Sequence, residues 1–178
     1  MIKYAEALNK YKTLNKMAEK NGVVFFGADW LSGIPLAELA RDNGIEAAVY
    51  NRSLKGLVLD DAEKVLEACV YGLNPDKVFV NIGENDVKSS SFNINEFAEK
   101  YEWLLYAIHS RCNCKIYILS VVSDKQNSVN ESLKKIAQKY TCEYVEVQPF
   151  HASVEKFFLT VRLFLRSHPI TFCEAFRI

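Results

Sequence analysis

The strongest constraint in this sequence is a repeated alternation. Short runs of β-branched and aromatic residues are each separated by longer stretches whose apolar positions recur at helical spacing. The runs are Val23 to Phe26, Glu46 to Tyr50, Lys77 to Ile82, Lys115 to Val122 and Tyr144 to Val147. The helical stretches are Pro35 to Asn43, Asp60 to Tyr71, Ile94 to Ser110 and Ser128 to Tyr140. Continuous apolar runs suit strands buried on both faces, as in a parallel sheet. Five strands separated by helices require right-handed β-α-β crossovers, so the expected architecture is a three-layer α/β sandwich around a five-stranded parallel sheet. Residues 2–20 carry Ile2, Ala5, Leu8, Tyr11, Leu14, Met17 and Ala18 near helical spacing. They predict an additional N-terminal helix over 1–21, stopped by Asn21-Gly22 and packed on the rest. With 178 residues, 49% of them hydrophobic, the chain reads as one domain over 1–178.

Composition removes several function classes. Lys plus Arg and Asp plus Glu each number 22, so there is no basic excess and nucleic acid is not an expected partner. There is no apolar run long enough for a membrane helix, and residues 1–22 lack the apolar core of a signal peptide. A cytoplasmic protein with no membrane partner is expected. The five cysteines have no C-x-x-C spacing and read as reduced, mostly buried thiols. Histidines and carboxylates show no ligand spacing, so neither a metal nor another cofactor is expected. Tyr101, Trp103 and Tyr106 read as partly buried core. The apolar segment from Phe157 to Leu165 either completes the core or forms a subunit interface, which leaves a homo-oligomer open.

In an open parallel sheet, ligands bind beyond the carboxyl ends of the strands. Three loops there are rich in small and polar residues: Gly27-Ala28-Asp29-Trp30, Asn51 to Gly56, and Gly83-Glu84-Asn85-Asp86. These loops, in this order, resemble the sequence blocks of the SGNH (GDSL-type) hydrolase superfamily of esterases and acylhydrolases. Gly27 and Gly33 keep the glycine spacing of the family's Gly-Asp-Ser-x-x-x-Gly block. Asn51 to Gly56 reproduces Asn-x-x-x-x-Gly, and Gly83 to Asp86 reproduces Gly-x-Asn-Asp.

The resemblance implies a flavodoxin-like sheet and a site for a small acyl ester or an O-acetylated sugar. It assigns the oxyanion donors to the Gly56 amide and the Asn85 side chain. Two positions depart from the family pattern: the nucleophile serine is replaced by Asp29, and the acidic residue before it by Ala28. The family's closing Asp-x-x-His block retains His168, followed by Pro169, with Leu165 at the acidic position. In the serine mechanism a hydroxyl attacks the carbonyl while histidine takes its proton. A carboxylate at the nucleophile position sets negative charge where the oxyanion must form. Two unit charges about 4 Å apart repel by about 4 kcal/mol at an effective dielectric of 20.

Two functional readings follow. In the first, Asp29 is a carboxylate nucleophile or base, His168 the acid, and Gly56 with Asn85 the oxyanion donors of an ester hydrolase. In the second, the chain is a non-catalytic relative whose pocket binds a small polar ligand or whose surface serves a protein partner. Each site residue also has a structural alternative: a cap or relic for Asp29, a packed imidazole for His168, a turn for Gly56, a loop tie for Asn85. Asp86 is expected to cap the segment that follows it, and Ser32 to form a turn. Trp30, on the site loop, is placed to narrow a pocket or stack on a ligand, and a carboxylate half-buried beside it would have a raised pKa.

Overall fold

The structure, a computed structural model, describes residues 2–122, 126–147 and 153–166. Strands β1 (Val23–Gly27), β2 (Val49–Asn51), β3 (Lys77–Asn81), β4 (Lys115–Leu119) and β5 (Glu143–Val145) form one sheet in the order β2-β1-β3-β4-β5. Every pairing is parallel. The helices are α1 (Ala5–Asn15), α2 (Asp29–Ser32), α3 (Leu36–Asp42), α4 (Leu59–Cys69), α5 (Ile94–Arg111), α6 (Gln126–Lys139) and α7 (Val154–Arg166). This is the three-layer α/β architecture that the alternation predicts.

Successive strand residues face opposite sides of the sheet, and each side has its own core. Val24, Phe26, Val78, Val80, Ile116 and Ile118 pack with α4, α5 and α6. Phe25, Phe79, Tyr117 and Leu119 pack with α3 and α7 on the other side. There the rings of Phe25, Phe79 and Tyr117 stack across three neighbouring strands, with centroids 4.5 Å apart at each step and planes within 9°. Such stacking adds about 0.5–1.5 kcal/mol per pair beyond the area buried. Phe157, Phe158, Val161 and Leu165 of α7 are buried against this layer, so one face of the apolar C-terminal segment completes the core, while Leu159 and Leu163 stay exposed. The α7 helix is also fastened at its end. Lys77 Nζ donates to the carbonyls of Phe164 (2.9 Å) and Leu165 (3.2 Å), where the helix leaves acceptors unpaired and its dipole favours a cation.

Asn93 caps α5, its side-chain oxygen accepting from the amides of Asn95 (2.8 Å) and Glu96 (3.3 Å). Several features differ from the sequence reading, and β4 and β5 end at Leu119 and Val145 rather than at Val122 and Val147. Strand β2 starts at Val49 rather than Glu46, because β1 begins at Val23 and the register pairs Val23 with Val49. Helix α1 ends at Asn15, and Lys20 Nζ closes the following turn by donating to the carbonyls of Asn15 (2.9 Å) and Gly72 (2.6 Å). A short helix, α2, stands where the sequence predicts only a turn. Tyr101 is fully buried, whereas Trp103 and Tyr106 are exposed, since the α5 face that carries them turns away from the sheet. Cys69, Cys112, Cys114 and Cys142 are free thiols, and Cys173 lies outside the described residues.

The central ring of the three-strand stack is enclosed on both sides by its neighbours. Phe79→Ala is expected to lower stability by about 3–5 kcal/mol, the range for a buried aromatic truncation. Chemical denaturation of the variant beside Phe79→Leu, which should lose much less, measures it.

Candidate active site

The chain leaves β1 toward β2 on one side and enters β3 on the other. The carboxyl ends of β1 and β3 therefore flank the crevice of the topological switch point. Gly27 and Asn81 end these strands in register. A side chain at position 27 would place its Cβ 2.6 Å from the Asn81 carbonyl oxygen, so the first motif glycine is required by strand packing. Beyond it, Asp29 opens α2, while the loop after β2 delivers Gly56 and the loop after β3 delivers Glu84 and Asn85.

The three loops meet on one atom. Asp29 Oδ2 accepts a hydrogen bond from the Gly56 amide at 2.7 Å and another from Asn85 Nδ2 at 2.6 Å. The structure thus brings together three of the residues singled out in the sequence, and the carboxylate fills the pair of donors that the resemblance assigns to an oxyanion. Burial works to raise the Asp29 pKa. The hydrogen bonds from Asn85 and Gly56, with the nearby charge of Lys88, outweigh it and hold the carboxyl below its ordinary range. The expectation of a raised pKa is therefore reversed, because Asp29 is exposed and its charged form is the one that is hydrogen-bonded.

Each donor is braced. Gly56 has φ +71°, a left-handed conformation suited to glycine. Its carbonyl accepts from Lys3 Nζ (2.7 Å) and from the Tyr4 hydroxyl (3.0 Å), both in the turn of 3₁₀ helix before α1. Asn85 Nδ2 also reaches the Leu57 carbonyl at 3.2 Å. Asn51 ties the second loop to α2, donating to the carbonyls of Leu31 (2.8 Å) and Ile34 (3.0 Å).

Sequence reasoning passed over Glu84, the variable position of the third block. It is buried, and its carboxylate oxygens accept from the Trp30 amide at 3.2 and 3.4 Å. Burial pushes its pKa up; the Trp30 amide opposes that, and the charge of Asp29 adds to it. Two carboxyl groups with opposed shifts thus stand in one crevice. The available signal was position: Glu84 lies between a motif glycine and a motif asparagine. Lys3 and Tyr4 carried no signal, because nothing in the N-terminal helix pattern indicates which loop it meets.

Of the remaining candidates, Trp30, Ser32 and Asp86 have structural placements. The Trp30 ring packs edge-on against Phe157, with centroids 4.9 Å apart, so it serves the α7 layer. The Ser32 hydroxyl donates to the Asp29 carbonyl at 2.7 Å, closing the short helix. Asp86 does act as a cap, but of α4, which precedes it in the chain: its Oδ1 accepts the Leu59 amide at 2.9 Å. The expected cap of the following segment is instead Asn93. His168 and His151 lie outside the described residues, and His109 is half-buried on α5, its pKa lowered by burial.

No family model and no curated protein matches this chain. Solved structures do. A Streptococcus pneumoniae protein described as a platelet activating factor aligns over 92% of both chains, with 22% identity and a TM-score of 0.72. A GDSL-like lipase from Bacteroides thetaiotaomicron aligns over 89% of this chain and 96% of its own, with 15% identity and a TM-score of 0.70. An acetylxylan esterase from Geobacillus stearothermophilus aligns over 78% and 81%, with 15% identity and a TM-score of 0.60. At these identities the likeness is one of fold.

Two outcomes are expected from this geometry. A carboxyl whose pKa is raised on folding binds more protons in the folded state, so stability falls as pH rises through that interval. Glu84→Gln should therefore unfold at a higher temperature than the parent near pH 7, with the two converging below about pH 4, where a free glutamate is protonated. Thermal melts across pH test it. The brace on Gly56 predicts that Tyr4→Phe combined with Lys3→Met loosens the amide. The Asp29 carboxyl pKa, followed by carbon NMR, should then rise toward its ordinary value.

Proposed function

We propose that this chain is a divergent SGNH-type acylhydrolase relative that keeps the acyl-binding half of an esterase site and has lost serine-type turnover. Its ligand is a small acyl ester, of the class of an O-acetylated carbohydrate. The observation that carries this reading is Asp29 Oδ2 bonded at once to the Gly56 amide and Asn85 Nδ2. A carboxylate in these donors is the arrangement an esterase adopts with its product acid bound. Asp29 is a built-in copy of that product.

Two consequences follow. An incoming acyl carbonyl must displace the Asp29 side chain, and the charge it displaces opposes the developing oxyanion. The nearby hydroxyl of Ser32 is committed to the Asp29 carbonyl and does not replace the missing nucleophile. The fold shared with a GDSL-like lipase and an acetylxylan esterase supports the ligand class.

One observation favours a second reading, hydrolysis by Asp29 as nucleophile or base. Its carboxylate is exposed and held ionised, with the buried carboxyl of Glu84 beside it. In that reading His168 supplies the acid.

Hydrolysis of a short-chain chromogenic ester, with acetate binding measured by calorimetry, separates the two. The expected result is no turnover above background in the parent. Asp29→Ala should bind acetate where the parent does not, because the freed Gly56 amide and Asn85 Nδ2 then donate to the external carboxylate. Saturable turnover in the parent that disappears in Asp29→Ala would establish the carboxylate route instead.

A further inference from the structure

Trp103 and Tyr106 are 56% and 57% exposed, an unusual placement for two large rings on one helix. They stand three residues apart on α5, with ring centroids 5.3 Å apart and planes at 32°. The indole is also fixed across the seam between α4 and α5, since Trp103 Nε1 donates to Glu63 Oε2 at 3.1 Å. The pair is thus a rigid aromatic platform facing water.

Two neighbouring clefts follow the α4/α5 seam from Trp103 to Asn85. Trp103 lines a cleft of about 330 Å³ with Asp60, Glu63 and Lys100. The neighbouring cleft, about 230 Å³, is lined by Asn85 and Asp86 and also by Asp60 and Lys100. The Lys100–Asp60 ion pair (2.7 Å) lines both clefts and stands at the boundary between them on the seam. Glu96 lines the cleft nearer the site, and from there to Tyr106 the helix advances about 15 Å at 1.5 Å per residue.

The chemistry of these clefts selects their occupant. Carboxylates at Asp60, Glu63 and Glu99 would repel a nucleic acid. The charged groups of Asp60, Glu63, Glu99 and Lys100 stand among Leu59, Trp103 and Leu104 in these walls, which disfavours a protein interface core and an acyl chain. A sugar ring does fit. Its C–H face stacks on an aromatic ring, and its hydroxyls donate to carboxylates. The geometry points to a neutral oligosaccharide bound along the α4/α5 seam, one ring on the Trp103–Tyr106 platform and its acylated residue at Asn85. This names the substrate class of the proposed acyl-binding site and rests on that reading only for the position of the acyl group.

Titration of the full chain with xylohexaose and with cellohexaose tests it, read by calorimetry and by the indole N–H signals in NMR. Trp30→Phe assigns the two signals. Saturable binding should shift the Trp103 signal. Trp103→Ala should weaken binding about tenfold, equivalent to ~1.4 kcal/mol, and Trp103→Phe by less. Both variants lose the bond to Glu63, so the melting temperature is measured beside binding; Trp103→Phe, which keeps a ring on the platform, should retain most of both. Acetate binding by Asp29→Ala, measured with and without Trp103→Ala, keeps the two ideas separate: the platform can fail while acetate still binds, and the acyl site can fail while hexasaccharide still binds. The seam proposal is overturned if neither hexasaccharide binds, if binding is indifferent to Trp103→Ala, or if the substitution abolishes self-association of the chain instead.

Discussion

The in-register parallel pairing of β1 with β3 is the constraint on which the rest depends. Gly27 lies opposite Asn81, and the Ala28 amide extends the ladder to the Asn81 carbonyl at 3.0 Å. On the other side of β1, the amides of Arg52 and Leu54 bond to the carbonyls of Phe25 (2.8 Å) and Gly27 (2.9 Å). Three chain segments therefore leave the sheet side by side, at the point where the strand order reverses. Short loops are enough to bring an amide, a carboxamide and a carboxylate onto one spot.

What occupies that spot sets the electrostatics around it. The Gly56 and Asn85 donors stabilise negative charge, and Asp29 supplies it from within the chain. Glu84, one loop away and buried, has its ionisation opposed both by burial and by the Asp29 charge. The crevice thus favours one negative charge near its surface and resists a second beneath it. The Asp29 carboxylate fills both donors.

The N-terminal helix belongs to this arrangement. Besides Lys3 and Tyr4 on the Gly56 carbonyl, the Tyr11 hydroxyl donates to the Ser53 carbonyl at 2.8 Å. Asn15 accepts from the buried Arg52 guanidinium at 3.2 and 3.1 Å and donates to the Ala68 carbonyl at 2.8 Å. Arg52 in turn lies over the rings of Tyr11 and Tyr50, 4.9 and 5.1 Å from their centroids. The helix therefore holds the second loop at several points and fixes the direction of the Gly56 amide through its backbone.

Much of the fold was legible because its determinants are local. A run such as Val78-Phe79-Val80 cannot be satisfied except between two apolar layers, and the glycines at 27 and 56 mark a close approach and a left-handed turn. The candidate loops followed from the same pattern, since strand ends locate the crevice. The course of Asp29 Oδ2 was not legible, because its two donors lie 27 and 56 residues away along the chain. Nor was the exposure of Trp103 and Tyr106, since helical spacing shows which residues share a face but not whether that face meets a neighbour. The sequence by itself determined the strands, the helices and the residue types at the site. Only the tertiary structure decided that a carboxylate sits in the anion donors and that an aromatic pair stays in water, because both are set by contacts between segments far apart in the chain.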